Sequence, residues 1–157
     1  MDNYKIREAL PDDIDCVHQC VLALYDELSA YHMPFEVNSL RLYDMLMAYI
    51  NAKASVILVL EYEGAVSGVL VGHMSKFDGR YIPAHGNVIG RITELYIVPA
   101  IRRKHFAEML LSSAFAWFHS CGINYVETDI LMENFVSQEF FKRMGFLPLT
   151  QRVYKTI

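Results

Sequence analysis

The chain has 157 residues, 54 % of them apolar and 20 % charged, enough to bury one sizeable core and too apolar for a disordered chain. A formal net charge of −4 disfavours nucleic acid as a partner, since phosphate binding needs a basic face, while a mildly acidic surface suits cationic small molecules or lysine side chains. No apolar run approaches the roughly 18 residues that span a bilayer, so neither nucleic acid nor membrane is expected as a partner.

Residues 1–157 read as a single domain without repeats or linkers. The opening Met1, Asp2, Asn3, Tyr4 and Lys5 lacks the basic and apolar regions of a signal peptide, and a cytoplasmic location is expected. Tyr4–Glu8 reads as a short strand. Pro11, with Asp12, Asp13 and Asp15 behind it, starts a helix, because proline suits the first helical position and acids favour the positive dipole end. That helix reaches Leu28 and carries Ile14, Val17, Val21, Leu24, Tyr25 and Leu28 at helical spacing. Cys16 and Cys20 lie one turn apart, but no second pair or histidine cluster completes a metal site, so they read as buried thiols. A break at Tyr31, His32, Met33 and Pro34 precedes a second helix, Ser39–Ile50. Ser55–Tyr62 and residues 65–75 are apolar β runs joined at Glu63-Gly64, a hairpin signal. Residues 76–87 read as a loop and 88–98 as a strand ended by Pro99. A helix over 104–121 closes at Gly122, with Cys121 as a core residue at its end. Residues 123–131 read as a strand, 134–144 as a helix closed by Gly145, and 146–149 and 152–156 as final strands. The three cysteines form no disulfide framework.

The most informative segment is 95–110, Leu-Tyr-Ile-Val-Pro-Ala-Ile-Arg-Arg-Lys-His-Phe-Ala-Glu-Met-Leu. An apolar strand stops at a proline, a basic turn follows, and a helix begins. The first amides of a helix have no internal partner and point outward with the positive dipole end, which suits a pyrophosphate. Arg102, Arg103 and Lys104 add positive charge there; alternatively they are a solvated surface turn.

The segment resembles the acetyl-CoA motif of the GCN5-related N-acetyltransferases, an apolar strand, a Val-x-Pro-like turn and then Arg/Gln-x-x-Gly-x-Gly/Ala. Arg102 stands at the Arg/Gln place and Ala107 at the final one. The resemblance implies an α/β (α+β) fold with a mixed, mostly antiparallel, splayed sheet flanked by helices. It implies acetyl transfer from acetyl-CoA to a primary amine, with no metal and with homodimerisation possible. By the same resemblance Tyr96, Ile97 and Val98 run along the pantetheine arm. The amides of Arg103, Lys104, His105, Phe106 and Ala107 follow Arg102 and cradle the pyrophosphate. His105 stands where the motif has its first glycine, which avoids a Cβ near the phosphates, and a histidine is expected to serve there at negative φ.

The next stretch of the family pattern, Asn, a small residue and Phe-Tyr-x-x-x-Gly-Phe, is matched by Asn134, Ser137, Phe140, Phe141, Gly145 and Phe146. Asn134 is expected to cap its helix and, by resemblance, to touch the pantetheine arm. Phe141 replaces the usual tyrosine, whose hydroxyl protonates the departing thiolate. Glu94, just before the cradle, is the candidate general base; the alternative is an ion pair with Arg91 or another cation. His73 and His85 are further candidates for the acceptor side, as are Tyr25, Tyr31, His32, Met33 and Phe35, all of which ordinary packing would also explain. The acceptor is an amine of a small molecule or a peptide. The departures at His105 and Phe141 keep a second reading open, a non-catalytic acyl-CoA-binding sensor.

Overall fold

The computed structural model describes residues 3–157; Met1 and Asp2, part of the opening read as free of signal features, lie outside the described residues. Strand β1 is Tyr4–Glu8. Pro11 opens one short 3-10 turn, Pro11–Asp13, that leads into α1, Ile14–Leu28. Asp13 fixes that entrance: it accepts from the Leu10 amide at 2.7 Å and pairs with Arg7 of β1 at 2.6 Å. Helix α2, Ser39–Ile50, is capped by Asn38, which accepts from the Arg41 amide. The other elements are β2 Ser55–Tyr62, β3 Ala65–Lys76, β4 Val88–Ile97, α3 Phe106–Ser120, β5 Val126–Thr128 and α4 Phe135–Arg143.

One five-stranded sheet runs in sequence order β1 to β5. Its first four strands are antiparallel and β5 is parallel to β4, the mixed, mostly antiparallel sheet expected. The β2–β3 turn places Glu63 and Gly64 at φ 51° and 82°, the double left-handed pair that a tight hairpin demands. Strand β2 is buried from Ser55 to Leu60, because both faces of the sheet are covered. Leu58, Leu60, Leu70 and Ile92 pack under α3 with Leu110, Leu111 and Phe118. Ile57, Val59, Val69, Val71 and Tyr96 pack under α1 and α2 with Val17, Val21 and Leu46. Gly90 lets α3 sit close, since a Cβ there would lie 2.7 Å from the Phe118 ring.

The sheet is splayed. Strands β4 and β5 pair only over Gly90–Val126, Arg91–Glu127 and Ile92–Thr128, then part. At the parting point the register against β3 slips: Val71 faces Glu94 while Gly72 faces Ile92. Thr93 is therefore the additional residue of a β-bulge, which bends its strand away from a neighbour.

Four expectations are corrected. Strand β5 is three residues rather than 123–131, because Ile123 is consumed in the α3 core and Ile130 and Leu131 leave the sheet where it splays. Residues 146–149 and 152–156 form no strands; a strand needs a ladder partner as well as β propensity. Cys20 is buried, but Cys16 and Cys121 are exposed, since helix spacing alone does not say which face meets the sheet. Helix α3 begins at Phe106 rather than 104.

Candidate active site

The parting of β4 and β5 opens a cleft whose walls include Leu28 of α1, Glu94 and Leu95 of β4, Thr128 of β5, and Asn134, Ser137 and Phe141 of α4. Along β4 the amide of Val98 donates to the Ser67 carbonyl of β3 at 2.9 Å. Backbone groups of alternate strand residues face opposite edges, so those of Ile97 and Leu95 face the opened side. Val98, expected to pair with the pantetheine arm, has its amide on Ser67 and its carbonyl accepting from Ile101.

Glu94 is 4 % exposed, although it borders the cleft. The bulge at Thr93 explains how a carboxylate reaches this depth, since one added residue rotates Glu94 onto the face covered by α1. Its carboxylate accepts from the Tyr25 hydroxyl at 3.2 Å and from the Thr93 hydroxyl. Burial raises the Glu94 pKa above the usual carboxylate value, and the bonds from Thr93 and Tyr25 hold it back in part. Burial and the Glu94 carboxyl push the Tyr25 phenol up to about 12, so it stays a donor. Arg91 pairs instead with Glu127 at 2.9 Å and Asp129 at 3.7 Å, so the Glu94–Arg91 pair considered from sequence does not form.

The turn after β4 carries the sharpest surprise. Arg103 and His105 both adopt left-handed backbone, at φ 65° and 62°. The negative φ expected for His105 is therefore corrected: the histidine keeps the backbone shape a glycine would take, with the strain that a Cβ adds. Its imidazole, largely in solvent, turns to the first turn of α3 and meets the half-buried Glu108 carboxylate at 2.9 Å.

The basic residues divide. The Arg102 guanidinium donates to the Ile97 carbonyl at 2.8 Å and to Glu27 of α1 at 2.6 Å. It also stacks over the Tyr96 ring at 5.4 Å. Arg102 thus ties the end of β4 to α1 rather than presenting its charge in the turn. Lys104 donates to the Tyr62 hydroxyl at 2.9 Å and lies over that ring. Arg103 has no side-chain partner among the described residues. Phe106 is buried in the α3 core, in tilted contact with Tyr4 and edge contact with Tyr62, and so anchors the start of the helix behind Ala107. What the turn offers is main chain: the amides of residues 103–107 at the start of a fifteen-residue helix.

On the opposite wall Asn134 is 8 % exposed and caps α4 by accepting from the Ser137 amide at 3.1 Å. Phe141 is buried between Phe140 and Phe146 at 5.2 and 5.0 Å. Thr128 and Ser137, which line the same cleft, carried no signal in the sequence beyond a place beside the expected β5 and α4. His73 bonds the neighbouring Met74 carbonyl and His85 stacks on Tyr125; neither lines the cleft. His32 meets Glu133 at 3.0 Å, linking the α1–α2 connection to the start of α4.

The sequence profile of the acetyltransferase (GNAT) family matches residues 21–146. The chain belongs to that family. Its fold is shared with solved members. A GCN5-related N-acetyltransferase from Ralstonia eutropha JMP134 superposes with a TM-score of 0.79 at 21 % identity, covering 98 % of this chain and 99 % of that one. The aminoglycoside N-acetyltransferase AAC(6')-Iy, solved with CoA, gives 0.80 at 12 % identity over 100 % and 96 %. A predicted acetyltransferase from Clostridium acetobutylicum, solved with acetyl-CoA, gives 0.78 at 14 % over 98 % and 96 %. Comparison with curated proteins returns no match. In this GNAT domain the profile covers α1 from Val21 onward, the bulged β4, the turn and α4, so the elements that build the cleft all lie within it.

Proposed function

We propose that this GNAT domain transfers an acetyl group from acetyl-CoA to a primary amine, with Glu94 as the general base. The observation that supports it most is the coincidence of the β4–β5 opening with a buried carboxylate on the bulge at its apex. The turn fits a diphosphate: the Arg102 and His105 side chains are bonded elsewhere, and helix-start amides suit anionic oxygens. The pantetheine arm would lie along the edge of β4, where Leu95 and Ile97 present their backbone. Tyr96, whose ring packs under α1 and α2, and Phe106 would support that edge and the turn from behind.

The chemistry follows in order. An acceptor ammonium gives its proton to the Glu94 carboxylate, directly or through water, and a raised pKa brings that base closer to neutral pH, where proton transfer is most effective. The freed amine nitrogen attacks the thioester carbonyl carbon, whose oxygen takes the negative charge and is met by a β4 amide near Ile97. The tetrahedral adduct gives up the extra proton on its nitrogen to water and collapses, the C=O bond re-forms, the C–S bond breaks, and coenzyme A leaves as thiolate. Phe141 has no proton to give, so the thiolate departs unprotonated or takes a proton from water. Asn134, on the facing wall, would touch the arm while capping α4.

Asp129 lines the opening with its carboxylate largely exposed, and an acidic group there favours a cationic amine. One structural relative is an aminoglycoside acetyltransferase, which supports an amine acceptor here without naming it. The test is acetyl-CoA consumption over a panel of polyamines, aminoglycosides and lysine peptides, repeated with Glu94→Gln. A loss of turnover with CoA binding retained supports the assignment. The phenylalanine at 141 favours one other reading, an acyl-CoA sensor without turnover; tight CoA binding with no product on any amine would select it.

A further inference from the structure

The bulge at Thr93 turns Glu94 onto the α1 face of the sheet, and that face supplies what an acceptor would touch on its way to the carboxylate. Val21, Leu24, Tyr25 and Leu28 recur at the three- and four-residue spacing that keeps to one side of α1. Val21 is fully buried in the core, and the Tyr25 hydroxyl is bonded to Glu94. Leu24 and Leu28, both half-buried, are left as the α1 wall of the cleft, and Leu131 lines it beyond β5. None of the three leucine side chains can give or accept a hydrogen bond.

The polar side chains of the cleft lie on the other face or are already engaged. Register pairs Thr128 with Ile92, a residue of the α3 core, so the Thr128 hydroxyl belongs to the α3 face. Ser137 is on α4, whose Phe141 packs in that same core. The Asn134 oxygen accepts from the Ser137 amide, and the Thr93 hydroxyl donates to Glu94. Asp129 stands exposed at the mouth, where Arg91 is 3.7 Å away and itself paired with Glu127 at 2.9 Å. From mouth to base the passage therefore reads exposed acid, aliphatic wall, buried acid. A hydroxyl carried close to the reacting nitrogen would lose its water against leucine and find no partner, whereas methylenes gain from burial there.

We propose that the acceptor carries its primary ammonium on an unbranched aliphatic chain, as in a lysine side chain or an alkyl diamine, and that Leu24 and Leu28 select it against hydroxylated ring amines. This rests on the reading of acetyl transfer with Glu94 as base. The experiment measures kcat/KM over the n-alkylamines from ethyl to pentyl, a pentylamine hydroxylated at its third carbon, and an aminoglycoside. Calorimetry of each amine into the coenzyme A complex runs alongside. Affinity and kcat/KM should each rise about fourfold per methylene, and the hydroxyl should lower both by up to about 10²-fold. Leu28→Asn, which sets an amide in the wall, should flatten the chain-length slope and shrink the penalty on the hydroxyl. Should that variant misfold, the series on the unaltered protein decides. Cadaverine and a lysine peptide present the same chain, and the larger kcat/KM of the two names its source. Values that ignore chain length, or an aminoglycoside used better than pentylamine, overturn this selection and leave acetyl transfer standing. Length-dependent binding with no turnover of any amine overturns acetyl transfer and leaves the aliphatic passage standing. Neither binding nor turnover of any amine overturns both.

Discussion

The two ends of the cleft are built from different material. At the turn after β4, the candidate donor site consists of main chain, with three of its side chains engaged elsewhere: Arg102 on Ile97 and Glu27, Lys104 on Tyr62, His105 on Glu108. At the bulge, the candidate acceptor site consists of side chains, with Glu94 held by Tyr25 and Thr93. Where amides do the binding, side-chain identity matters only through the backbone shape it permits, and a histidine can stand in a glycine's place at φ 62° at a modest cost in strain. Where a carboxylate is the proposed base, its identity and its two hydrogen-bond donors both matter. The first end should tolerate substitution and the second should not.

The largest effect expected from that contrast is at Glu94. Glu94→Gln should lower turnover by roughly 10²–10⁴-fold, the usual contribution of a positioned base, and leave CoA affinity by calorimetry unchanged. The same change should stabilise the fold at neutral pH. A carboxyl whose folded pKa is raised binds more protons folded than unfolded between the two pKa values, so stability falls as pH rises through that window. The glutamine variant should lose this slope in thermal melts followed from about pH 4 upward.

Arg102→Ala comes next. It removes charge-assisted bonds to the Ile97 carbonyl and Glu27, and partial exposure limits the cost to about 1–2 kcal/mol of stability. CoA affinity should fall by roughly the same energy, about tenfold, through the displaced end of β4. Arg102→Lys should restore little, because a point ammonium cannot make both contacts in the guanidinium's planar geometry. Unchanged affinity in Arg102→Ala would break the view that Arg102 acts by positioning the main chain.

His105→Gly probes the tolerant end from the other side. Relief of left-handed strain is worth about 1 kcal/mol, and the exposed pair with Glu108 offsets only a few tenths. The melting temperature should therefore rise by about 2–4 °C with CoA affinity held or improved. A loss of affinity would show that the imidazole itself meets the phosphates. Tyr25→Phe should give the smallest and most diagnostic change. One bond that lowers the Glu94 pKa is lost, so the acidic limb of the kcat/KM profile should move to higher pH while KM for acetyl-CoA stays put.

Local pattern carried the β4–turn–α3 segment, because a strand, a proline and a helix start are each announced by neighbouring residues. It also carried Asn134, a cap read three residues from its Ser137 donor, and the Glu63-Gly64 hairpin. The bulge at Thr93 was not legible, since nothing within β4 announces an added residue; the slip appears only against β3. That Glu94 turns from Arg91 to Tyr25, 69 positions earlier, depends on α1 crossing the sheet. The missing strands at 146–149 and 152–156 teach the same point from the opposite side. Residues 152–156 have the β-branched and aromatic composition of a strand, and local properties do not supply a ladder partner.

By itself, then, the order of amino acids determined the elements, the anion-ready helix start and the family pattern, because turn chemistry and periodicity act over a few residues. Tertiary structure alone decided where the sheet opens, which groups surround the Glu94 carboxylate, that His105 takes left-handed backbone, and that the last eleven residues stay unpaired. Each of those depends on groups far apart in sequence being brought together, or on none arriving, and no short window of sequence contains that information.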